Sequence, residues 1–128
     1  MSHIEKSVYV DKALSFAQGL AFRYRHEFIT PEHILSALFN QDPFVEAVEE
    51  CFCHIPVMEE EVDEYLAQKM EQVPEGANYE LQFSAQSNLL FQNAYAFVES
   101  SNAEVLDIPH VVQAMLLLPD SWACYFLK

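Results

Sequence analysis

The first part of the chain carries apolar side chains at intervals of three and four residues. The members of this series are Val10, Ala13, Leu14, Ala17, Leu20, Ala21 and Tyr24. This spacing places them on one face of a helix. The basic residues within 23–28 are typical of a helix C-terminus, because cations are favourable there. We therefore predict an amphipathic helix that ends in this segment.

Six further helix starts are indicated by N-cap residues or by proline at the first helical position. These signals are Thr30-Pro31, Asp42-Pro43, Pro56, Ser84, Asp107 and Asp120. Between the fourth and fifth predicted helices, residues 71–79 contain Pro74, Gly76 and Asn78, which predict a linker. The whole pattern predicts an all-α protein.

The two halves of the chain align at a constant offset. Ala17 corresponds to Ala94, 77 residues later, His33-Ile34-Leu35 to His110-Val111-Val112, and Phe28-Ile29 to Val105-Leu106. Each half reads as a long helix, an extended apolar pair, an N-cap and a helix that bears a histidine. Neither half can bury its apolar side alone, so we expect the two to pack around a pseudo-twofold axis.

These patterns predict one domain over residues 1–128, a pseudo-twofold tandem repeat of a four-helix unit. Repeat one spans about 4–70, the linker about 71–83 and repeat two about 84–128. The fourth helix of repeat one has its predicted counterpart near 133–147, past Lys128. We therefore expect the second repeat to be truncated in this chain.

The charge and glycine content restrict the possible partners. The 128 residues carry 20 acids against 6 bases, a formal charge of −14. Such a surface repels nucleic-acid phosphates and anionic membranes, so we expect neither as a partner. The chain has 2 glycines, and no glycine-rich phosphate loop can be drawn through them. We expect no cofactor in this domain.

The cysteines favour a reducing compartment. Cys51, Cys53 and Cys124 are an odd count in a chain rich in apolar residues, which indicates reduced thiols and a cytoplasmic location. Cys51, Cys53 and His54 can be drawn as a metal cluster, but C-x-C-H without a second ligand pair is not usual zinc spacing. We favour buried thiols and expect no metal.

The histidines could indicate a zinc-protease motif, a catalytic role or a structural role. His26-Glu27 begins like the zinc-protease motif H-E-x-x-H, but Thr30 occupies the second histidine position and excludes it. His33 and His110 occupy matching repeat positions. We predict that both form hydrogen bonds near helix starts, since no nucleophile and orienting acid are nominated beside them.

One stretch of the first repeat resembles a known family. The residues 25–38, RHEFITPEHILSAL, are similar to the R-H-E-F-x-T-x-E-H-L-L-x-A-L signature of the N-terminal domain of Clp-type protein unfoldases. The second half, from Glu104 to Asp107 and on to Tyr125-Phe126-Leu127, also resembles that domain. The resemblance covers nearly the whole chain from about Val8, and among the branches of the family it is closest to ClpA.

The resemblance implies recruitment rather than catalysis. In this family the N-terminal domain lies on a hexameric AAA+ ATPase ring and captures substrates or an adaptor. A ClpA-like parent implies a ClpS-type adaptor that delivers N-degron substrates, unfolded proteins as further substrates, and the ClpP peptidase as a partner of the parent. ATP and magnesium belong to C-terminal modules of that parent. We expect the isolated domain to be a monomer without enzymatic activity.

The resemblance also nominates an adaptor-binding site. The family's two adaptor-facing carboxylates fall on Glu27 and Glu32, with His26 beside them. Five residues apart across a turn, the two glutamates can present two charges on one surface to a cationic or hydrogen-bond-donating partner. Glu32 can instead complement the positive end of its own helix.

A second candidate surface lies before the fifth helix. Tyr79, Leu81 and Phe83 are either core contacts or a substrate patch, because the groove between the repeats can hold unfolded apolar segments in this family. The acidic residues of 46–75 form either a solvated face or a docking face for a basic partner or for the ATPase module.

Two alternative functions stay open. A ClpB- or ClpC-like domain would bind unfolded or marked substrates directly. Pro109 stands at the second-repeat position of Glu32, so half of the phosphoarginine-binding glutamate pair of the ClpC branch is missing. The more distant alternative is a stand-alone helical enzyme or metal-binding protein, which would require a deep polar pocket with shifted ionisable groups.

Overall fold

Helices make up nearly all of the regular structure. The computed structural model describes residues 5–50, 55–68, 70, 72–74, 76, 77 and 79–118. In chain order its elements are β1 (Glu5–Lys6), α1 (Val8–Arg23), β2 (Phe28–Ile29), α2 (Pro31–Leu38), α3 (Asp42–Glu50), α4 (Ile55–Gln68), β3 (Gln82–Phe83), α5 (Ala85–Ser100), β4 (Val105–Leu106) and α6 (Ile108–Leu116). The all-α prediction is confirmed. The predicted helix from Asp120, like Cys51, Cys53, His54 and Cys124, lies outside the described residues.

Three of the six predicted helix starts, those of α2, α5 and α6, are correct to the residue. The Oγ of Ser84 accepts from the backbone N–H of Ser87 at 3.1 Å, and α2 begins at Pro31 as predicted. The third helix differs, because Asp42 is its first residue rather than its cap. The carbonyl of Gln41 accepts the N–H of Phe44 at 3.0 Å, so Gln41 takes the position before the helix. The fourth helix begins one residue before Pro56.

The two repeats exchange short strands. β1, which precedes α1, pairs in parallel with β4 of the second repeat, and β3, which precedes α5, pairs in parallel with β2 of the first. Glu5 lies opposite Val105, and Phe28 lies opposite Gln82, so the two pairings are related by the 77-residue offset. The predicted extended apolar pairs are these β2 and β4 strands. Their partners β1 and β3 were not predicted.

The turns after the long helices follow the same offset. Arg25 and Asn102 both have left-handed backbone, with φ of 62° and 56°. The N–H of the next residue in each repeat reaches back five residues, from His26 to the carbonyl of Ala21 at 2.9 Å and from Ala103 to that of Val98 at 3.0 Å. This pattern closes a helix C-terminus and sends the chain into the following strand.

The helix pairs distinguish the two halves. α1 packs on α2, α5 packs on α6, and α4 packs on the outer side of α2. All residues of α2 are consequently buried. No described helix packs on α6 in the way that α4 packs on α2, and Pro109, Gln113 and Leu116 are exposed. Among the described helices, none is long and apolar enough to cross a membrane.

Candidate functional site

The two nominated carboxylates do not share a surface. Glu27 is exposed in the turn before β2. Glu32 is 3% exposed, in the first turn of α2 and under α4. Burial raises the pKa of the phenol of Tyr65 in α4, and the charge of Glu32 raises it further. The carboxylate of Glu32 therefore acts on a side chain of α4. The predicted presentation of two charges on one face is therefore wrong, because the docking of α4 covers the second charge.

His26 is also buried, so the structure does not place it on an adaptor-facing surface. Its side chain has no exposed area, and its ring stacks on Tyr24 with centroids 5.4 Å apart. Its Nδ1 lies 2.8 Å from the Nε2 of His33. His26 thus belongs to the interior contact between the end of α1 and α2.

A chain of hydrogen bonds fixes the protonation of this histidine pair. The backbone N–H of Thr30 donates to the Nδ1 of His33 at 2.9 Å, so that nitrogen is an acceptor. The proton of neutral His33 is then on Nε2, which donates to His26 Nδ1. The same bond to the helix start forms in the second repeat, from the N–H of Asp107 to the Nδ1 of His110 at 3.0 Å. The prediction for the two matching histidines is confirmed.

Both histidines of the pair are held neutral. Burial, and next the neighbouring His26, lower the pKa of His33 to about 3. Burial also lowers the pKa of His26, against the nearby backbone of Leu66, which raises it. At neutral pH this cluster supplies no charge to a partner, and its role is to hold the turn between α1 and α2.

The nominated aromatic segment before α5 packs inward. Leu81 and Phe83 are half-buried against the core, and the ring of Phe83 meets that of Phe91 edge to face with centroids 5.9 Å apart. Tyr79 is half-buried as well. Leu81 and Phe83 are therefore core contacts.

A feature that was not predicted is an apolar groove between α6 and the pair α3 and α4. It has a volume of about 500 Å³, within the range of ligand pockets. Its lining residues are Pro43, Phe44, Ala47, Val48, Met58, Asp107, Ile108, Pro109, Val112, Gln113 and Leu116. Among the described residues of this lining, the side chain of Asp107 is the one ionisable group.

The repeat contains the signal that could have found this groove. Pro109 and Gln113 occupy the positions of Glu32 and Ser36, 77 residues earlier. In repeat one those positions face α4, and Ser36 makes a side-chain hydrogen bond to Asp63 of that helix. The corresponding face of α6 instead forms one wall of the groove.

The outer face of α4 is strongly acidic. Glu59, Glu60, Asp63 and Glu64 surround an open hollow beside Tyr24. Burial raises the pKa of Asp63, and the hydrogen bond from Ser36 opposes that shift. Across the part of the chain that the structure describes, no three His, Cys, Asp or Glu side chains are grouped to hold a metal ion.

The model of the Clp repeat (R) N-terminal domain matches residues 7–128. The chain belongs to this family. Clp N-terminal domains are modules of AAA+ chaperones and unfoldases, and the six helices and the two related halves described above agree with the match.

Solved structures share the fold at low sequence identity. The N-terminal domain of Hsp104 from Candida albicans aligns with a TM-score of 0.84 at 17% identity, over 97% of this chain and 80% of that one. The N-terminal domain of ClpV1 ATPase from E. coli aligns at 0.79 and 21%, over 97% and 77%. That of the chaperone ClpD from Arabidopsis thaliana aligns at 0.72 and 16%, over 97% and 83%.

Proposed function

We propose that this Clp N-terminal domain recruits protein substrates to a ClpA-like AAA+ unfoldase that acts with ClpP in ATP-dependent proteolysis. The observation that carries the proposal is the apolar groove between α6 and the pair α3 and α4. Apolar side chains that enter such a groove gain roughly 25 cal/mol for each Å² removed from water. Unfolded segments expose these side chains and folded proteins largely do not. The domain itself performs no chemistry in this role.

An adaptor is the second route of recruitment, and Glu27 supports it. The Nε of Arg25 donates to the carbonyl of Val73 at 2.9 Å, and the N–H of Val73 donates to the carbonyl of Arg25 at 2.7 Å. These two hydrogen bonds connect the turn that contains Arg25 to the linker that contains Val73. They fix the position of the turn, and with it that of the exposed side chains on the turn. Glu27 and the neighbouring Phe28, which is 44% exposed, offer a charge and an apolar contact together. A ClpS-type adaptor is our candidate partner for this turn.

The groove can be tested with a fluorescent peptide that has an unfolded apolar sequence. Leu116 lines the groove, whereas the adjacent Leu117 is 61% exposed and does not. We expect Leu116→Ser to weaken peptide binding about tenfold, the loss of one buried apolar contact, while Leu117→Ser leaves it within about twofold. Equal effects of the two substitutions would remove the groove from the proposal.

The adaptor route has its own matched pair. Glu104 occupies the position of Glu27 in the second repeat and is equally exposed. In a titration with a ClpS-type adaptor, we expect Glu27→Lys to abolish measurable binding and Glu104→Lys to preserve it. If the unaltered domain does not bind the adaptor, or if Glu27→Lys binds like the unaltered domain, this route is wrong.

A further inference from the structure

The three helices that line the groove, α3, α4 and α6, together contain acidic residues and no lysine or arginine. No lysine or arginine occurs between Arg25 and Lys69, or between Lys69 and Lys128. Helix α3, which contributes Pro43, Phe44, Ala47 and Val48 to the lining, carries four acids next to these residues in the chain: Asp42, Glu46, Glu49 and Glu50. Asp107, the one ionisable residue among the lining residues that the structure describes, is acidic as well. Fixed charges of one sign beside a low-dielectric cleft create a potential that extends to any segment entering it.

We propose that the groove selects apolar segments that carry lysine or arginine beside their apolar anchors. This inference rests on the proposed recruitment function and specifies its substrate class. The apolar anchors would meet side chains such as Phe44, Val112 and Leu116. Lysine and arginine bury their aliphatic stems along apolar surface while the charged heads extend outward, here toward the carboxylates of α3. A segment with acidic flanks meets like charge and is disfavoured.

Charge also argues against a second copy of this chain as the occupant. Each molecule carries a formal charge of −14, so two copies repel each other before apolar surface can be buried. The basic residues that a second copy could offer are few, and Arg25 already bonds Val73. An apolar segment of another protein that carries cationic side chains matches the apolar lining of the groove and complements the acidic residues of α3.

Three labelled peptides with one shared apolar core test the selection. Their flanks are lysine, serine or glutamate, and binding is followed by fluorescence anisotropy with the 128-residue chain. In about 50 mM salt we expect the lysine peptide to bind at least about tenfold more tightly than the glutamate peptide, with the serine peptide between them. In about 500 mM salt the difference should fall below about threefold, because screening shortens the reach of the carboxylates.

Two double variants with the same change in net charge locate the effect. Glu46 and Glu49 are exposed on α3, the helix whose Pro43, Phe44, Ala47 and Val48 line the groove, whereas Glu80 and Glu99 are exposed on segments that do not line it. We expect Glu46→Lys with Glu49→Lys to lower the affinity for the lysine peptide about tenfold at low salt. Glu80→Lys with Glu99→Lys should lower it by about twofold or less, since those charges lie on segments that do not line the groove.

The outcomes separate this inference from the function on which it rests. Equal binding of the three peptides, or equal effects of the two double variants, would overturn the charge selection and leave recruitment by the groove standing. Absence of saturable binding by all three would overturn both. Sedimentation of the unaltered chain as a dimer that the Leu116→Ser variant does not form would assign the groove to a second copy and overturn the inference.

Discussion

The Nε2 of His33 donates to the Nδ1 of His26 across 2.8 Å, and the second repeat has no histidine at the position of His26. Ala103 stands at the position of His26, so the corresponding hydrogen-bond chain ends at His110. The contact between α1 and α2 therefore contains two fully buried imidazoles, whereas the corresponding contact of the second repeat does not.

Replacing His26 by the residue of the second repeat tests this relationship. His26→Ala removes the acceptor of His33 Nε2–H and leaves a buried donor and a cavity. We expect the free energy of unfolding to fall by about 2–4 kcal/mol in urea titrations. His110→Ala is the control, because His110 is half-buried and loses one bond, which should cost about 1 kcal/mol. Similar losses in the two variants would contradict the buried chain.

The same pair makes stability depend on pH. The pKa of His33 is about 3 in the folded protein and near 6.5 in the unfolded chain, so between these values the unfolded chain binds the extra proton. Stability is therefore fully present above pH 6.5 and is lost as the pH falls through this window. From pH 7 to pH 5 the contribution of His33 should fall by about 2 kcal/mol.

A variant isolates this contribution from that of the neighbouring His26, whose pKa is also lowered by burial. His33→Gln keeps a side-chain acceptor for the N–H of Thr30, because glutamine also serves at this position of a capping box. Its unfolding free energy should decline less than that of the unaltered chain between pH 7 and pH 5. Parallel pH profiles would show that His33 titrates normally in the fold.

The two nominated glutamates should respond differently to charge reversal. Glu32→Lys places a cation at a position that is 3% exposed under α4, and we expect a loss of about 3 kcal/mol or more in unfolding free energy. Glu27→Lys is exposed and should change it by less than about 0.5 kcal/mol. Thermal unfolding measures both. Comparable stability of the two variants would show that Glu32 is accessible in solution.

Replacing each of the two glycines by alanine should change the stability of the chain in opposite directions. A Cβ at either position meets no atom within 4 Å, so the backbone alone decides. Gly19 lies within α1, and Gly19→Ala should stabilise the chain by about 0.5–1 kcal/mol. Gly76 has φ of 81°, and Gly76→Ala should destabilise it by about 1 kcal/mol. Urea titrations of the two variants would contradict this account if they shifted in the same direction.

Local signals carried most of what the sequence could predict. The starts of α2, α5 and α6 were predictable because the cap and the first turn are neighbours in the chain. The burial of Glu32 and His26 was not, since it depends on how α4 returns over α2, some thirty residues later. A glutamate in the first turn of a helix has the same sequence pattern whether or not another helix covers it.

The groove escaped prediction for a related reason. Phe44 and Val112 each fit an ordinary amphipathic pattern, and the pattern does not show which apolar side chains will meet a partner helix. The two-residue strands β1 and β3 are too short for an alternating pattern. The 77-residue offset maps β1 onto β3 and β2 onto β4, so it relates the two pairings to each other but does not show that the strands pair across the repeats.

The crossed pairing of these strands bears on how the chain folds. The pairing of β1 requires β4, which lies about a hundred residues away in the chain, and the pairing of β2 requires β3. Contacts of such sequence separation form slowly, because the entropy of closing the loop is lost before the contact is gained. Neither half retains all its strand partners when the other unfolds. The domain should therefore gain and lose its structure in one cooperative transition, with the strand exchange among the last steps of folding.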